Sequence, residues 1–265
     1  MNKEKLNKEE KIQAAQEAYI QGDKEMAKKV HEQTIEEHNT SSGKYLKNMV
    51  YGGLDGIITT FAVVAGVAGA NLAPTVTLIL GFANLFADGI SMSMGDYLSS
   101  KSEQEYNNLE RKRETWEMQH YPEGEIKEMM DFYKDKGMSE EDANIVVPAM
   151  AKYTDLFVDV MMVEELGIIE DNERPIKSAL VTFFSFLVFG FVPLITTVLS
   201  SYVPAFENNG FIISAIMTAF MLFLLGFLKG RVTGVNKFKS GLDMLLLGGL
   251  AAAAAYLIGN LLGNV

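Results

Sequence analysis

Five apolar stretches of about twenty residues each constrain this chain more than any other feature. They run over 49–72, 74–98, 176–199, 211–228 and 242–262. A helix rises about 1.5 Å per residue, so roughly 20 apolar residues cross about 30 Å of hydrocarbon. None of the stretches alternates with period two, and all are too long for barrel strands. The expected fold is an all-α membrane protein with five transmembrane helices. The mean hydropathy of +0.10 hides this, because it averages two unlike materials. From Lys101 to Glu173 the chain carries 20 Asp plus Glu against 8 Lys plus Arg, and that stretch cannot enter a bilayer.

The organisation follows. Residues 1–44 form a polar extension, expected as one or two short helices, with no apolar core of a signal peptide. Residues 45–98 hold the first two spans, 99–173 an acidic helical insert, and 174–265 the last three spans. Lys44 and Lys47 precede the first span. Lys101, Arg111, Lys112 and Arg113 follow the second. Arg174 and Lys177 open the third, and Lys229, Arg231, Lys237 and Lys239 join the fourth to the fifth. The two other connections, "GANLAP" and "SSYVPAFENNG", have no Lys or Arg. The positive-inside rule then sets the N-terminus and insert in the cytoplasm and the C-terminus outside. The expected location is the cell (inner) membrane.

Within the insert, no breaker follows Gly95, so the second span should continue as a helix to about Gln119. "YPEGE" marks a new start with Pro122 near the first helical position. That helix should stop near Gly137. "SEED" at Ser139 resembles a capping box, Pro148 interrupts or kinks the next helix, and Gly167 suits a C-cap.

Chemistry is concentrated in acids. Asn84, Asp88, Met92 and Asp96 are spaced by four and share one helix face. Asp55 sits in the first span. A carboxylate in hydrocarbon costs roughly 2.5–3.5 kcal/mol or more unless it meets a partner, an ion or water. No span interior carries a Lys or Arg to neutralise these acids, so the expected counter-charge is a travelling cation or a proton. Plain solvation is the alternative for Asp96, near the end of its span. Beyond it, Glu103, Glu110, Glu114 and Glu117 are separated by 7, 4 and 3 and lie within about 60° of one another. Alone, such a row is usually a wet surface. Met161 and Met162 precede Glu165 by four and three. Carboxylates with thioethers, and no cysteine anywhere, suit a divalent ion of intermediate hardness such as Fe(II) or Mn(II). Glu117 and His120 form a single E-x-x-H without the twin a di-iron bundle needs. No P-loop, Rossmann or G-x-S-x-G signature is present, which argues against an organic cofactor and against hydrolytic chemistry. The net charge of -11 argues against nucleic acid. Gly52 and Gly56 offer a close-packing face, within a subunit or across a dimer.

Three ordered stretches, "YGGLDGIITTFAVVAGVAGA", "GFANLFADGISMSMGDYLSSKSE" and "FVDVMMVEELG", resemble the signature segments of the vacuolar iron transporter family. The resemblance covers about Tyr51 to Val265. It implies a homodimer of five-span subunits with the ion path at the interface, moving Fe(II), often Mn(II), out of the cytosol in exchange for protons. It implies that Asp55 lies in that path, with Asp88 and Met92. It also implies a cytoplasmic metal-binding domain built from Glu103, Glu114, Glu117, Met161, Met162 and Glu165. Tyr106 and Met162 depart from the family pattern. The expected function is thus a secondary transporter, not an enzyme. The rivals are a membrane-anchored metal sensor or store and a membrane di-iron oxidoreductase.

Overall fold

The structure, a computed structural model, describes residues 17–25, 28, 40–169, 174–200 and 202–263. The described residues are helical and contain no strand. The chain divides into two units, Met1–Gly43 and Lys44–Val265. In the first unit, 17–20 form a helical turn closed by Gly22 at φ 84°. Most of the expected N-terminal helices lie outside the described residues.

From Thr40 onward the described residues form nine α-helices. They are α1 (Thr40–Gly69), α2 (Pro74–His120), α3 (Pro122–Asp135), α4 (Glu140–Met150), α5 (Thr154–Glu164), α6 (Pro175–Phe191), α7 (Ile195–Val198), α8 (Pro204–Thr233) and α9 (Lys237–Gly263). Five segments are long and apolar enough to cross a membrane: Tyr45–Gly69, the start of α2, Pro175–Val198, Asn209–Thr233 and Lys237–Gly263. Proline occupies the first turn of α2, α3, α6 and α8, where its missing amide costs no intrahelical bond.

The third span is not one continuous helix. α6 ends at Phe191, a 3-10 turn covers Val192–Leu194, and α7 completes the crossing. Pro193 is the cause, since it cannot donate an amide bond inside a helix. Its own carbonyl accepts a 2.7 Å hydrogen bond from Ser214 Oγ of α8, which satisfies the break inside the protein. α8 carries a second irregularity at Asn209 (φ -126°, ψ 20°), so its membrane crossing begins there.

Small residues bring the spans together. A Cβ on Gly56 would stand 2.4 Å from the Phe186 carbonyl oxygen, and one on Gly259 would stand 2.1 Å from that of Gly66. The Gly52–Gly56 face is therefore consumed inside the subunit, against α6. Hydrogen bonds reinforce this packing: Ser185 Oγ donates to the Met49 carbonyl at 2.6 Å. The apolar core of the membrane body combines Phe61, Val64, Leu85, Phe186 and Leu194 with Ile57, Leu222, Leu225 and Met244.

α2 is 47 residues long, about 70 Å at helical rise, more than twice the hydrocarbon thickness. Its distal half therefore stands clear of the membrane and joins α3, α4 and α5. These helices share a core of Met118, Met129, Val147, Phe157, Val158, Met161 and Met162. Ser139 caps α4: the Asp142 amide donates to Ser139 Oγ at 3.1 Å, and that hydroxyl donates to Asp142 Oδ2 at 2.6 Å in place of the reciprocal bond of a capping box. Pro148 lies in the last turn of α4, which ends at Met150. Gly137 (φ 97°) and Gly167 (φ 66°) take the left-handed turns that reverse the chain after α3 and α5.

Candidate metal-transport site

Acidic side chains occupy three levels along α2. The innermost pairs Asp88 with Asp55 of α1. Both are half-buried, and the Asp88 charge acts on Asp55. Among the described residues no hydrogen-bond donor or base reaches either carboxylate. Asn84 and Met92 are half-buried one turn to either side of Asp88, as the spacing of four requires. The Asn84 Nδ2 is buried without a hydrogen-bond partner. Met92 packs against the apolar cluster of Phe61 and Phe186.

About 12 Å further along α2 by helical rise, Asp96 is held differently. Its Oδ2 accepts from Thr182 Oγ1 at 2.8 Å and from Asn48 Nδ2 at 3.2 Å. It lines a polar cavity of about 420 Å³ with Lys47, Asn48, Ser100, Glu103 and Gln104. Glu103 thus belongs with Asp96. Eleven residues, about 16 Å, separate it from Glu114, too far to share one ion even on the same helix face. A second cavity of about 510 Å³ opens at the other end of the spans, between Leu72, Thr77, Thr196 and Phe211.

The outermost level is the densest. Glu114, Glu117 and Glu125 each place a carboxylate oxygen within 4.8 Å of the others, a spacing a single ion can bridge. Glu114 is 2% exposed and Glu125 6%. Burial pushes the Glu114 carboxyl up to about 7; the Glu165 and Glu117 charges add to the rise, and Arg113 opposes it. Burial, then the Glu114 and Glu128 charges, pushes Glu125 to about 7 as well. Glu165 is exposed as a residue, yet desolvation and then the Glu128 charge still raise its carboxyl. Glu110 is buried one turn before Glu114.

Glu125 is the residue that sequence spacing misses. It sits in the first turn of α3, and the reversal at Tyr121–Pro122 folds that turn back onto the last turns of α2. The signal was present in "YPEGE", where a helix start places an acid close behind a chain reversal. Met161 and Met162 are 0% and 1% exposed and belong to the helical core. His120 does not join Glu117. Its ring stacks on Trp116 at 4.5 Å, and its Nδ1 lies 2.8 Å from the Trp116 carbonyl.

Fold and acids together define a class: an all-helical membrane protein with carboxylates in its spans and a carboxylate cluster on the helices beyond them. The sequence profile described as the VIT family matches residues 46–260. The chain belongs to that family. It is 42% identical to a Vacuolar iron transporter of Toxoplasma gondii over 235 residues, 86% of this chain and 77% of the relative. It is 37% identical to one of Plasmodium berghei over 264 residues, 96% and 97% of the two chains. It is 32% identical to Vacuolar iron transporter 1 of Arabidopsis thaliana over 229 residues, 84% and 90%.

Proposed function

We propose that this chain is a proton-coupled exporter of Fe(II), and of Mn(II), working as a homodimer. Its relatives are named for iron transport, and that supports a transporter of metal ions in preference to an enzyme. The observation that carries the finer reading is the pair Asp55 and Asp88, two carboxylates on neighbouring spans with no fixed donor among the described residues. A dication and a proton neutralise the same charge, so one set of carboxylates holds them alternately. That alternation is exchange.

In this reading residues 45–98 and 174–265 form the membrane body, and 99–173 form the cytoplasmic collecting domain. The N-terminus lies in the cytoplasm and the C-terminus outside. Glu114, Glu117 and Glu125 take the ion, with Glu110, Glu165 and the thioethers of Met161 and Met162 around them. Glu103 and Asp96 pass it through their cavity to Met92, Asp88, Asn84 and Asp55. The test is Fe(II) and Mn(II) flux in proteoliposomes with the internal pH followed. Metal entry coupled to proton movement in the opposite direction is expected. Metal flux that leaves internal pH unchanged overturns the exchange.

A further inference from the structure

The acidic row on α2 is not purely acidic. Arg113 lies on the same face, at i+3 from Glu110 and i-4 from Glu117. Its Nη1 stands 3.1 Å from Glu110 Oε2, at charge-pairing distance without hydrogen-bond alignment. Its Nη2 is 3.6 Å from Glu114 Oε1, and its Nε is 3.6 Å from Glu117 Oε1. One guanidinium therefore serves three carboxylates, two of which belong to the oxygen triad that could hold an ion. The third member, Glu125, has an Oε2 that is buried and without a partner. The cluster thus has one fixed positive charge on its α2 side and an unsatisfied oxygen on its α3 side.

We infer that Arg113 is an internal counter-ion that competes with the metal, a latch displaced when a dication binds between α2 and α3. This rests on the reading of the cluster as the metal-collecting site. A dication at the triad meets Glu125 unopposed, but it must take Glu114 and Glu117 from the guanidinium. Two positive groups cannot share those oxygens at close range. Arg113 is 55% exposed, so it can swing into water without rearranging the core. A latch of this kind lowers affinity and so favours release of the ion. It also discriminates against monovalent ions, whose single charge gains little over the arginine already present.

The test is Mn(II) titration of the full-length protein in detergent at pH 8 and low salt, with free Mn(II) read from its paramagnetic resonance signal. Arg113→Gln is expected to bind about fivefold more tightly than wild type, because three partly exposed pairings are removed. The gain should shrink as salt is added. Arg113→Lys keeps the charge but reaches one carboxylate at a time, and about a twofold gain is expected. Unchanged or weaker binding in both variants, with wild-type helix content by circular dichroism, overturns the latch. If wild-type protein fails to bind Mn(II), or binds it equally well as Glu114→Gln/Glu125→Gln, the collecting-site reading falls and the latch falls with it.

Discussion

The acids inside the spans and the acids beyond them stand on the same helix, yet their surroundings are opposite. Asp88 faces Asp55 with no base within reach among the described residues, whereas Glu114 and Glu117 share Arg113 and are crowded by Glu125 and Glu165. In hydrocarbon an uncompensated carboxylate is costly, so even a sparse pair stands out as a candidate site. Outside the membrane a carboxylate is cheap to solvate. There only crowding, burial and convergence from two helices separate a site from a wet surface. The membrane tier gains its chemistry from scarcity, the outer tier from density.

The sharpest way to break this comparison is Asp55→Asn. Flux in proteoliposomes should fall to background, while Mn(II) binding to the outer cluster stays at the wild-type value. Persisting flux removes Asp55 from the path. Next comes Gly56→Val, which drives a side chain into the Phe186 backbone. Thermal unfolding should drop by roughly 5 °C or more, since no flexible side chain is there to yield.

Glu125→Gln should weaken Mn(II) binding by roughly tenfold, the range seen when one group supporting a metal is lost. Flux at low metal should fall with it, and flux at saturating metal should not. An unchanged affinity removes α3 from the site.

A smaller effect concerns pH. Glu114 and Glu125 both rise from 4.5 unfolded to about 7 folded, so the folded state holds their protons more tightly. Their stabilising contribution is complete below about 4.5 and is lost as pH climbs through about 7. The metal-free protein should therefore melt a few degrees lower at pH 8 than at pH 5.5. Mn(II) should restore the loss at pH 8 and do little at pH 5.5, where protons occupy the carboxylates. Smallest of all is Gly124→Ala. The added methyl meets nothing within 4 Å, so stability should change by less than about 1 kcal/mol, in the favourable direction.

Hydropathy made the five spans legible, because about twenty apolar residues have few other uses. The run of α2 to His120 was legible too, since nothing between Gly95 and Tyr121 can stop a helix. The break at Pro193 is hidden by hydropathy, because the apolar run passes through it unchanged, although "FVPL" carries the proline that causes it. Helical periodicity places Glu110, Glu114 and Glu117 on one face, and Arg113 lies at its edge. Glu125 lay beyond its reach. Spacing along one helix says nothing of what a second helix brings alongside. For the same reason it grouped Glu103 with Glu114, which share a face and are separated by three helical turns. The partner of the Gly52–Gly56 face was equally hidden, because small residues advertise a close approach without naming the approaching chain.

The unbroken backbone of α2 has a mechanical consequence. Between Asp88 and Glu117 every residue is helical, so nothing hinge-like isolates one acidic tier from the other. A stiff rod of this length converts a small tilt at its outer end into a displacement of several ångströms, and it carries rotation about its axis to the bilayer undiminished. The outer carboxylates and Asp88 thus stand on one lever, and glycines near Ser100 would soften it between them.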